Sequence, residues 1–301
     1  MAFNKEVFRT RALTAVIFAA VMLTGLLWDG WSFFVLFSIV HFGCWHEYRK
    51  LMSLIDPEYA KVGDDHFTWF SVAGWIGMIA SSGQLLDLPG FKINEPLQLL
   101  FTLGIWTLPV IIGKMLQGKI PSPNTLKRSM AGLIYISASM SMLMHLRSGD
   151  AWGASAPTGT LASGLGHIFG YTLPLVIIAS IWINDTMAYI VGSFIGKTPL
   201  SPISPKKTWE GTIGGVILST LLVTLVGSLL LNGDMMLLLA VSSISAVAGT
   251  FGDLLESKLK RMAGVKDSGR FMPGHGGFLD RFDSLLLAVP FVWIFCILFM
   301  R

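Results

Sequence analysis

The sequence predicts an all-α integral membrane protein, a polytopic bundle of about nine transmembrane helices. Three observations predict this fold class: a low share of charged residues, uncharged apolar stretches of helical length, and an uneven distribution of Lys and Arg. Of the 301 residues, 53% are hydrophobic and 13% are charged, whereas soluble domains carry about 25% charged residues. The composition therefore excludes an ordinary soluble domain.

Nine apolar stretches recur along the chain, each near the ~20 residues that cross the hydrocarbon core as a helix. Because several are short or contain Pro, we expect eight to ten spans. All of them belong to one membrane domain, with N-terminal spans in 1–166 and a C-terminal catalytic part in 167–301 that carries two candidate active-site loops, 185–211 and 252–284. The predicted spans are 12–28, 30–46, 66–86, 97–113, 129–146, 168–184, 211–231, 235–252 and 285–300.

The positions of Lys and Arg predict the orientation in the membrane. With the N-terminus inside, the segments that face the cytoplasm hold 19 of the 22 basic residues, and the others are Lys92, Arg147 and Arg301. Cytoplasmic loops carry such an excess in membrane proteins. We therefore expect a cytoplasmic N-terminus and cytoplasmic active-site loops. Since the basic residues report orientation, we expect no nucleic-acid partner.

The first loop, 185–211, begins with Asp185 and contains three prolines that forbid a regular helix and favour extended or turn geometry. Its hydroxyl and ammonium groups form a compact set that suits an anion such as phosphate. An alternative is a basic loop that only follows the positive-inside rule, with Trp209 at the interface. The candidate anion-binding residues are Ser201, Ser204, Lys206, Lys207 and Thr208.

The second loop, 252–284, places acids at the ends of two spans. Asp253 ends the eighth span, whereas Asp280 and Asp283 open the ninth. Carboxylates beside a bilayer are costly to desolvate and usually mark a functional site. If the eighth span continues as a helix, one polar stripe results, although a simple i,i+4 ion pair would explain part of it. That stripe consists of Asp253, Glu256, Ser257 and Lys260.

Clustered carboxylates without a Cys or His set suit a hard cation such as Mg²⁺, which fills its shell with water and phosphate oxygens. The Gly-rich stretch 274–277, which includes Gly276 and Gly277, permits close approach of the backbone to a ligand. His275 either orients a phosphate or fits a turn. Asp283 has an alternative role as the N-cap of the last helix. Glu47 is a weaker candidate that either belongs to the site or fixes a helix end.

At these residues the chain closely resembles the CDP-diacylglycerol synthase family, also called phosphatidate cytidylyltransferases. The resemblance is strong over roughly the last 120 residues and extends to the N-terminal half only as a pattern of spans. Met272 departs from the signature, which usually has Leu, Ile or Phe there. The signature is carried by Ser257, Leu259, Lys260, Arg261, Lys266, Asp267, Gly269, Pro273, His275, Gly276, Gly277, Phe278, Asp280, Arg281, Phe282 and Asp283.

The resemblance implies a Mg²⁺-dependent reaction of CTP with phosphatidate that gives CDP-diacylglycerol and pyrophosphate, in a bacterial inner membrane and in contact with lipid. It implies that Asp253 and Asp280 bind the metal. The catalytic set that it implies is Asp253, Asp280, Lys266, Asp267, Asp283 and Arg281. The implied substrate-binding set is Ser201, Ser204, Lys206, Lys207, Thr208, Lys260, Arg261, His275, Gly276, Gly277 and Asp185.

Two other functions fit parts of the same pattern. A CTP-dependent polyprenol kinase also needs acids, basic residues and access from the inner face. A transporter is suggested by the many spans with Pro and Gly interruptions. The sequence leaves the oligomeric state open, with a homodimer among the options.

Overall fold

The protein is described by a computed structural model over residues 5–62, 64–82, 85–86, 122–148, 166–231, 234–271 and 276–299. A π-helical turn, Leu133–Ala138, joins the fifth and sixth helices. The strands β1, Pro199–Ser201, and β2, Ser204–Thr208, pair antiparallel as a hairpin. The helices are α1 Lys5–Leu27, α2 Gly30–Ile55, α3 Pro57–Ala60, α4 Asp64–Ser81, α5 Pro123–Gly132, α6 Ser139–Arg147, α7 Gly166–Ile195, α8 Trp209–Leu231, α9 Met235–Met262 and α10 Leu279–Phe299.

Within the described residues, five helical segments are long and apolar enough to cross a membrane, judged by length and composition. The prediction of a helical membrane protein is therefore confirmed. Helices α1, α2 and α4 occupy the first three predicted spans, whereas the span expected at 97–113 lies outside the described residues, so the count of nine stays a prediction. The five segments are Pro123–Arg147, Thr172–Ile195, Trp209–Leu231, Met235–Met262 and Leu279–Phe299.

The segment Pro123–Arg147 lies inside the bundle and α8 lies at its surface. In the most apolar part of each, 78% of the first is buried but only 28% of α8. Helix α8 exposes an apolar stripe at i,i+4 spacing, from Ile213 through Ile217 and Leu221 to Leu225. So large an exposed apolar surface is unfavourable in water. It matches a surface that contacts lipid.

Two buried hydrogen bonds connect α6 to α10. The Ser139 hydroxyl donates to the Leu286 carbonyl oxygen at 2.6 Å, and Trp293 Nε1 donates to His145 Nδ1 at 3.1 Å. Polar groups in an apolar interior need such partners, because an unsatisfied donor there is expensive. These bonds fix the last helix against the centre of the bundle.

Helices α9 and α10 are in close backbone contact at Gly252. A Cβ at this position would lie 2.5 Å from the carbonyl oxygen of Asp283 and 2.9 Å from Ser284 Cα. Both obstacles are backbone atoms that cannot move cheaply, so the crossing requires glycine. As a result, Asp253 is brought beside Asp283.

The helix ends differ in part from the sequence-based boundaries. The sequence assigns residues 185–195 to the first loop, with a re-entrant or interfacial helix at 186–195 as the alternative. They continue α7, so only residues 196–208 leave the helices there. The expected extension of the eighth span is confirmed, since α9 runs through Lys260. Helix α10 begins at Leu279, and Asp283 therefore lies inside it rather than at its N-cap.

Candidate active site

A polar cavity of about 470 Å³ lies where α7, the hairpin, α8, α9 and α10 meet. Residues from both predicted loops line it, although they are far apart in sequence. The lining also includes polar side chains that the sequence did not single out, among them Asn184, Tyr189, Thr212 and Thr250. The predicted site residues that line the cavity are Asp185, Ser204, Lys206, Lys207, Thr208, Asp253, Asp280 and Asp283.

The hairpin carries the basic side of the cavity. Its prolines exclude a helix, as the sequence predicted, and the chain turns at Pro202 and Ile203. The carboxylate of Glu210, in the first turn of α8, accepts from the Thr198 hydroxyl at 2.8 Å and from the backbone N–H of Lys197 at 3.2 Å. These bonds close the base of the hairpin and hold its lysines toward the cavity.

Three carboxylates cluster at the cavity, and we call Asp253, Glu256 and Asp283 the acid cluster. Asp253 and Asp283 line the cavity, whereas Glu256 is not part of its lining. Each offers an oxygen, and these oxygens all lie within 4.8 Å of one another. Asp253 and Glu256 share one face of α9 at i,i+3 spacing, and Asp283 faces them from α10. Glu256 is fully buried and Asp283 is 6% exposed. Like charges this close repel strongly away from water, so they need compensation.

Two lysines provide compensation. Lys207 of the hairpin forms an ion pair with Asp253. Lys260 Nζ lies 2.5 Å from Glu256 and 2.6 Å from Asp280 Oδ1. The stripe that the sequence predicted on this helix therefore exists, with its lysine shared between two acids.

Asp280 borders the same cavity, and its carboxylate already accepts several hydrogen bonds. Oδ1 accepts from Lys260, whereas Oδ2 accepts from the backbone N–H of Gly277 at 2.8 Å and of Ser268 at 3.0 Å. Gly276 takes a positive φ of 83°, which favours glycine at this turn. The glycines thus shape the backbone around Asp280; neither lines the cavity.

Asn184 connects two helices at the cavity. Its Nδ2 donates to the Thr250 hydroxyl at 3.2 Å, so α7 is joined to α9. Its buried Oδ1 has no hydrogen-bond partner among the described residues. Because Asn184 lines the cavity, a ligand or a water molecule bound there can donate a hydrogen bond to this oxygen.

Other predicted site residues lie away from the cavity lining. Ser201 accepts from the N–H of Ile203 within the hairpin turn. Arg261 is exposed and donates to the Val265 carbonyl oxygen. Lys266, Asp267 and Arg281 are exposed too, and His275 falls outside the described residues.

The sequence-based site underrated two acids. Glu256 was interpreted as one half of an ion pair, although its i,i+3 spacing from Asp253 already placed both on one face. Glu47 was a weak candidate, and the structure buries its carboxylate against the loop that precedes α10. An acid directly at the end of an apolar span was the signal available for it.

Fold and site together define an integral membrane protein of apolar helices that enclose a polar cavity, with carboxylates on one side and lysines on the other. The chain belongs to the cytidylyltransferase family, since the model of that family matches residues 9–299.

Several relatives named phosphatidate cytidylyltransferase are similar to this chain. The Helicobacter pylori protein is 43% identical over 129 residues, which cover 41% of this chain and 48% of that protein. The Staphylococcus haemolyticus protein is 49% identical over 119 residues, 39% of this chain and 46% of that one. The Synechocystis protein is 36% identical over 197 residues, 61% and 66% of the two chains. The match thus spans about half the length of the first two relatives.

The shared lysine generates a prediction about stability. In Lys260→Met the buried Glu256 loses its ion-pair partner, which typically costs about 3–5 kcal/mol for a buried pair. We expect a lower melting temperature in detergent with a chelator present, measured by intrinsic fluorescence. Lys258→Met, at an exposed position on the same helix, is the control and should melt like the wild type. The double variant Glu256→Gln/Lys260→Met should recover much of the loss; unchanged melting of Lys260→Met would refute the compensation.

Proposed function

We propose that this chain is a phosphatidate cytidylyltransferase, which converts CTP and phosphatidate to CDP-diacylglycerol and pyrophosphate. The observation that carries the proposal is that Lys206 and Lys207 line the same cavity as Asp253 and Asp283. Such a site suits phosphate groups and the cation that accompanies them. Membership of the cytidylyltransferase family and the names of the relatives support the same activity.

The reaction needs no nucleophile from the protein. A phosphate oxygen of phosphatidate attacks the α-phosphorus of CTP and forms the new P–O bond. The bond from that phosphorus to the oxygen bridging to the β-phosphorus breaks, and pyrophosphate leaves with the electron pair. Catalysis then consists of holding two anions in line and neutralising their charge. The basic and acidic sides of the cavity supply these two functions.

The hairpin side is proposed to hold the phosphates. Lys206 and Lys207 provide ammonium groups, and Ser204 and Thr208 provide hydroxyls within the same cavity. Charge-assisted hydrogen bonds to phosphate are about twice as strong as neutral ones. Lys207 is paired with Asp253 in the structure. When substrate binds, we propose that Lys207 exchanges this carboxylate for a phosphate oxygen.

The acid cluster fits a divalent cation. Its oxygens lie within 4.8 Å of one another. Glu256 Oε2 pairs with Lys260, whereas Glu256 Oε1 has no hydrogen-bond partner among the described residues. We propose that Asp253, with Asp283 and Glu256, holds Mg²⁺, which prefers carboxylate oxygens. Asp280, the second ligand that the resemblance implied, lies on the same cavity with its carboxylate engaged by Lys260 and backbone N–H groups. When bound, Mg²⁺ would neutralise charge on the phosphates.

The membrane arrangement supports the choice of substrates. We propose nine spans with the N-terminus and the cavity on the cytoplasmic side of a bacterial inner membrane, as the distribution of Lys and Arg predicts. CTP would then enter from the cytoplasm. Tyr189 borders the cavity, and the side chains of Tyr189 and Phe194 on α7 are 78% and 84% exposed. This apolar surface beside the cavity suits the acyl chains of phosphatidate, whose phosphate would reach the lysines.

Pyrophosphate release tests this function directly. Purified protein in detergent micelles should release pyrophosphate from CTP only when both phosphatidate and Mg²⁺ are present, and it should form a cytidine-containing lipid. Because micelles enclose no compartment, such turnover also excludes transport as the main activity. Release of CDP with phosphorylation of a polyprenol would instead favour a lipid kinase and contradict the proposal.

The acid cluster gives a second prediction. Asp283→Asn removes one charge without changing shape, and an amide binds Mg²⁺ poorly. We expect kcat to fall roughly 100-fold or more, the scale for losing one preorganised electrostatic contact. The concentration of Mg²⁺ that gives half-maximal rate should rise. Both are read from steady-state kinetics across a Mg²⁺ titration.

The matched control makes the same chemical change at the far end of α9. Asp234 is the exposed N-cap of that helix, and Asn caps helices equally well. Asp234→Asn should therefore keep wild-type kinetics. If Asp283→Asn keeps a normal rate and an unchanged Mg²⁺ dependence, the cluster does not hold the metal.

A further inference from the structure

The carboxylate of Glu47 connects the N-terminal half of the chain to the site. Glu47 lies on α2 and is 3% exposed. Its oxygens accept three hydrogen bonds: from the Ser268 hydroxyl at 2.6 Å, from the Phe278 N–H at 2.9 Å and from the Leu279 N–H at 2.8 Å. The last two donors lie at the N-terminus of α10, where negative charge is favoured. Bonds of this number and quality allow a carboxylate to be buried.

The surface of α2 around Glu47 fits closely against the loop between α9 and α10, which contains Ser268. Gly43 lies one turn before Glu47 on the same face, and a Cβ there would lie 2.5 Å from the Phe278 ring. A Cβ at Gly269 or at Gly277 would overlap the Glu47 carboxylate. The loop therefore contacts α2 through glycines on both sides, which is the arrangement expected where a backbone must approach closely.

Ser268 relays this contact to the cavity. Its hydroxyl oxygen lies 2.6 Å from Glu47 Oε2 and 2.9 Å from Asp280 Oδ2. The Ser268 N–H and the Gly277 N–H both donate to Asp280. Of these two donors to Asp280, Ser268 also bonds Glu47, and Gly277 directly precedes Phe278, whose N–H bonds Glu47. Displacement of the loop would also separate Lys260 from Asp280 and leave it paired with Glu256 alone.

We propose that Glu47 is a positioning residue for the reaction, acting through Ser268 and the start of α10 to fix Asp280 and Lys260 against the acid cluster. It does not line the cavity, so it acts without touching substrate. The inference rests on the proposed cytidylyltransferase activity for its kinetic consequence. Its structural content, that Glu47 holds the loop, is independent of that activity.

The isosteric variant Glu47→Gln tests the positioning role. An amide nitrogen replaces one oxygen and faces a backbone N–H, so at least one of the three bonds is lost. Small displacements of catalytic groups reduce rates by up to about 100-fold. We expect kcat per folded protein to fall by roughly 10-fold to 100-fold, whereas KM for CTP and for phosphatidate stays within about twofold, because the hairpin lysines are untouched.

A double-variant comparison distinguishes an effect of Glu47 that acts through Ser268 from an independent loss of structure. If Glu47 acts through Ser268, then Glu47→Gln/Ser268→Ala should lose no more kcat than the worse of the two single variants. Independent effects would instead multiply. Ser268→Ala also keeps the test usable if Glu47 variants fold poorly.

Asp56→Asn is the control for lost stability. Asp56 follows the last residue of α2, and its carboxylate accepts a 2.8 Å bond from Arg128 Nε. That hydrogen bond lowers the pKa of the Asp56 carboxyl, so the group is ionised at neutral pH. Asp56→Asn should lower the melting temperature and leave kcat unchanged. An equal loss of kcat in Asp56→Asn would reduce the Glu47 effect to stability and overturn the proposal.

Limited tryptic digestion gives a readout that does not depend on activity. Lys266 and Arg270 are exposed in the loop that Glu47 holds. Cleavage after them should accelerate at least fivefold in Glu47→Gln and stay at the wild-type rate in Asp56→Asn. Unchanged cleavage in Glu47→Gln would show that Glu47 does not hold the loop. A wild-type protein that releases no pyrophosphate would refute the proposed function instead, and the digestion would still decide the structural claim.

Discussion

The constraint on which the rest of this structure depends is negative charge placed at the ends of apolar helices. Asp253, Glu256, Asp280 and Asp283 converge where α9 meets α10, and two of them are nearly or fully buried. Carboxylates in such surroundings persist only when cations and hydrogen-bond donors compensate them. Two lysines compensate the carboxylates: Lys207 of the hairpin pairs with Asp253, and Lys260 of α9 pairs with both Glu256 and Asp280. The architecture of the C-terminal half follows from bringing these groups together.

Compensation at this site also has a functional meaning. In the structure, the acids are paired with lysines. With substrate bound, a cation would take the place of the lysines beside the acids, and a phosphate would take the place of the acids beside the lysines. Lys207 in particular bonds Asp253, and both partners border the cavity. A site whose opposite charges pair with each other is preorganised for a ligand that carries both signs, such as a metal-bound nucleotide. The proposed chemistry then requires positioning and no protein nucleophile.

The N-terminal half does more than add membrane spans. Glu47 on α2 lies more than 200 positions before the residues that it bonds, and three glycines allow the contact. Because of these hydrogen bonds, the geometry of the loop between α9 and α10 depends on the position of α2. Ser139 and His145, through their bonds to α10, fix the same helix from the centre of the bundle.

The sequence predicted the class of fold, because apolar helical stretches and low charge have few interpretations. It also singled out the loop 252–284, since acids beside a bilayer are expensive, and the resemblance added residues of 185–211 to the substrate-binding set. It could not locate helix ends: the apolar patch 186–195 is too short to predict a span of its own, yet it continues α7 along the cavity. Nor could it pair Glu47 with Ser268, because contacts between distant segments leave no local pattern. The roles of Glu256 and Asp280 depend on distances that spacing alone does not give.

The most direct test of the central claim is to follow the phosphorus atoms of CTP. With label in the α-phosphate, the account predicts that radioactivity moves into the lipid fraction when phosphatidate and Mg²⁺ are present. With label in the γ-phosphate, it predicts that all radioactivity stays in water-soluble pyrophosphate. Transfer of the γ-label to lipid would contradict the account, because it would mean that the bond between the β- and γ-phosphates breaks instead.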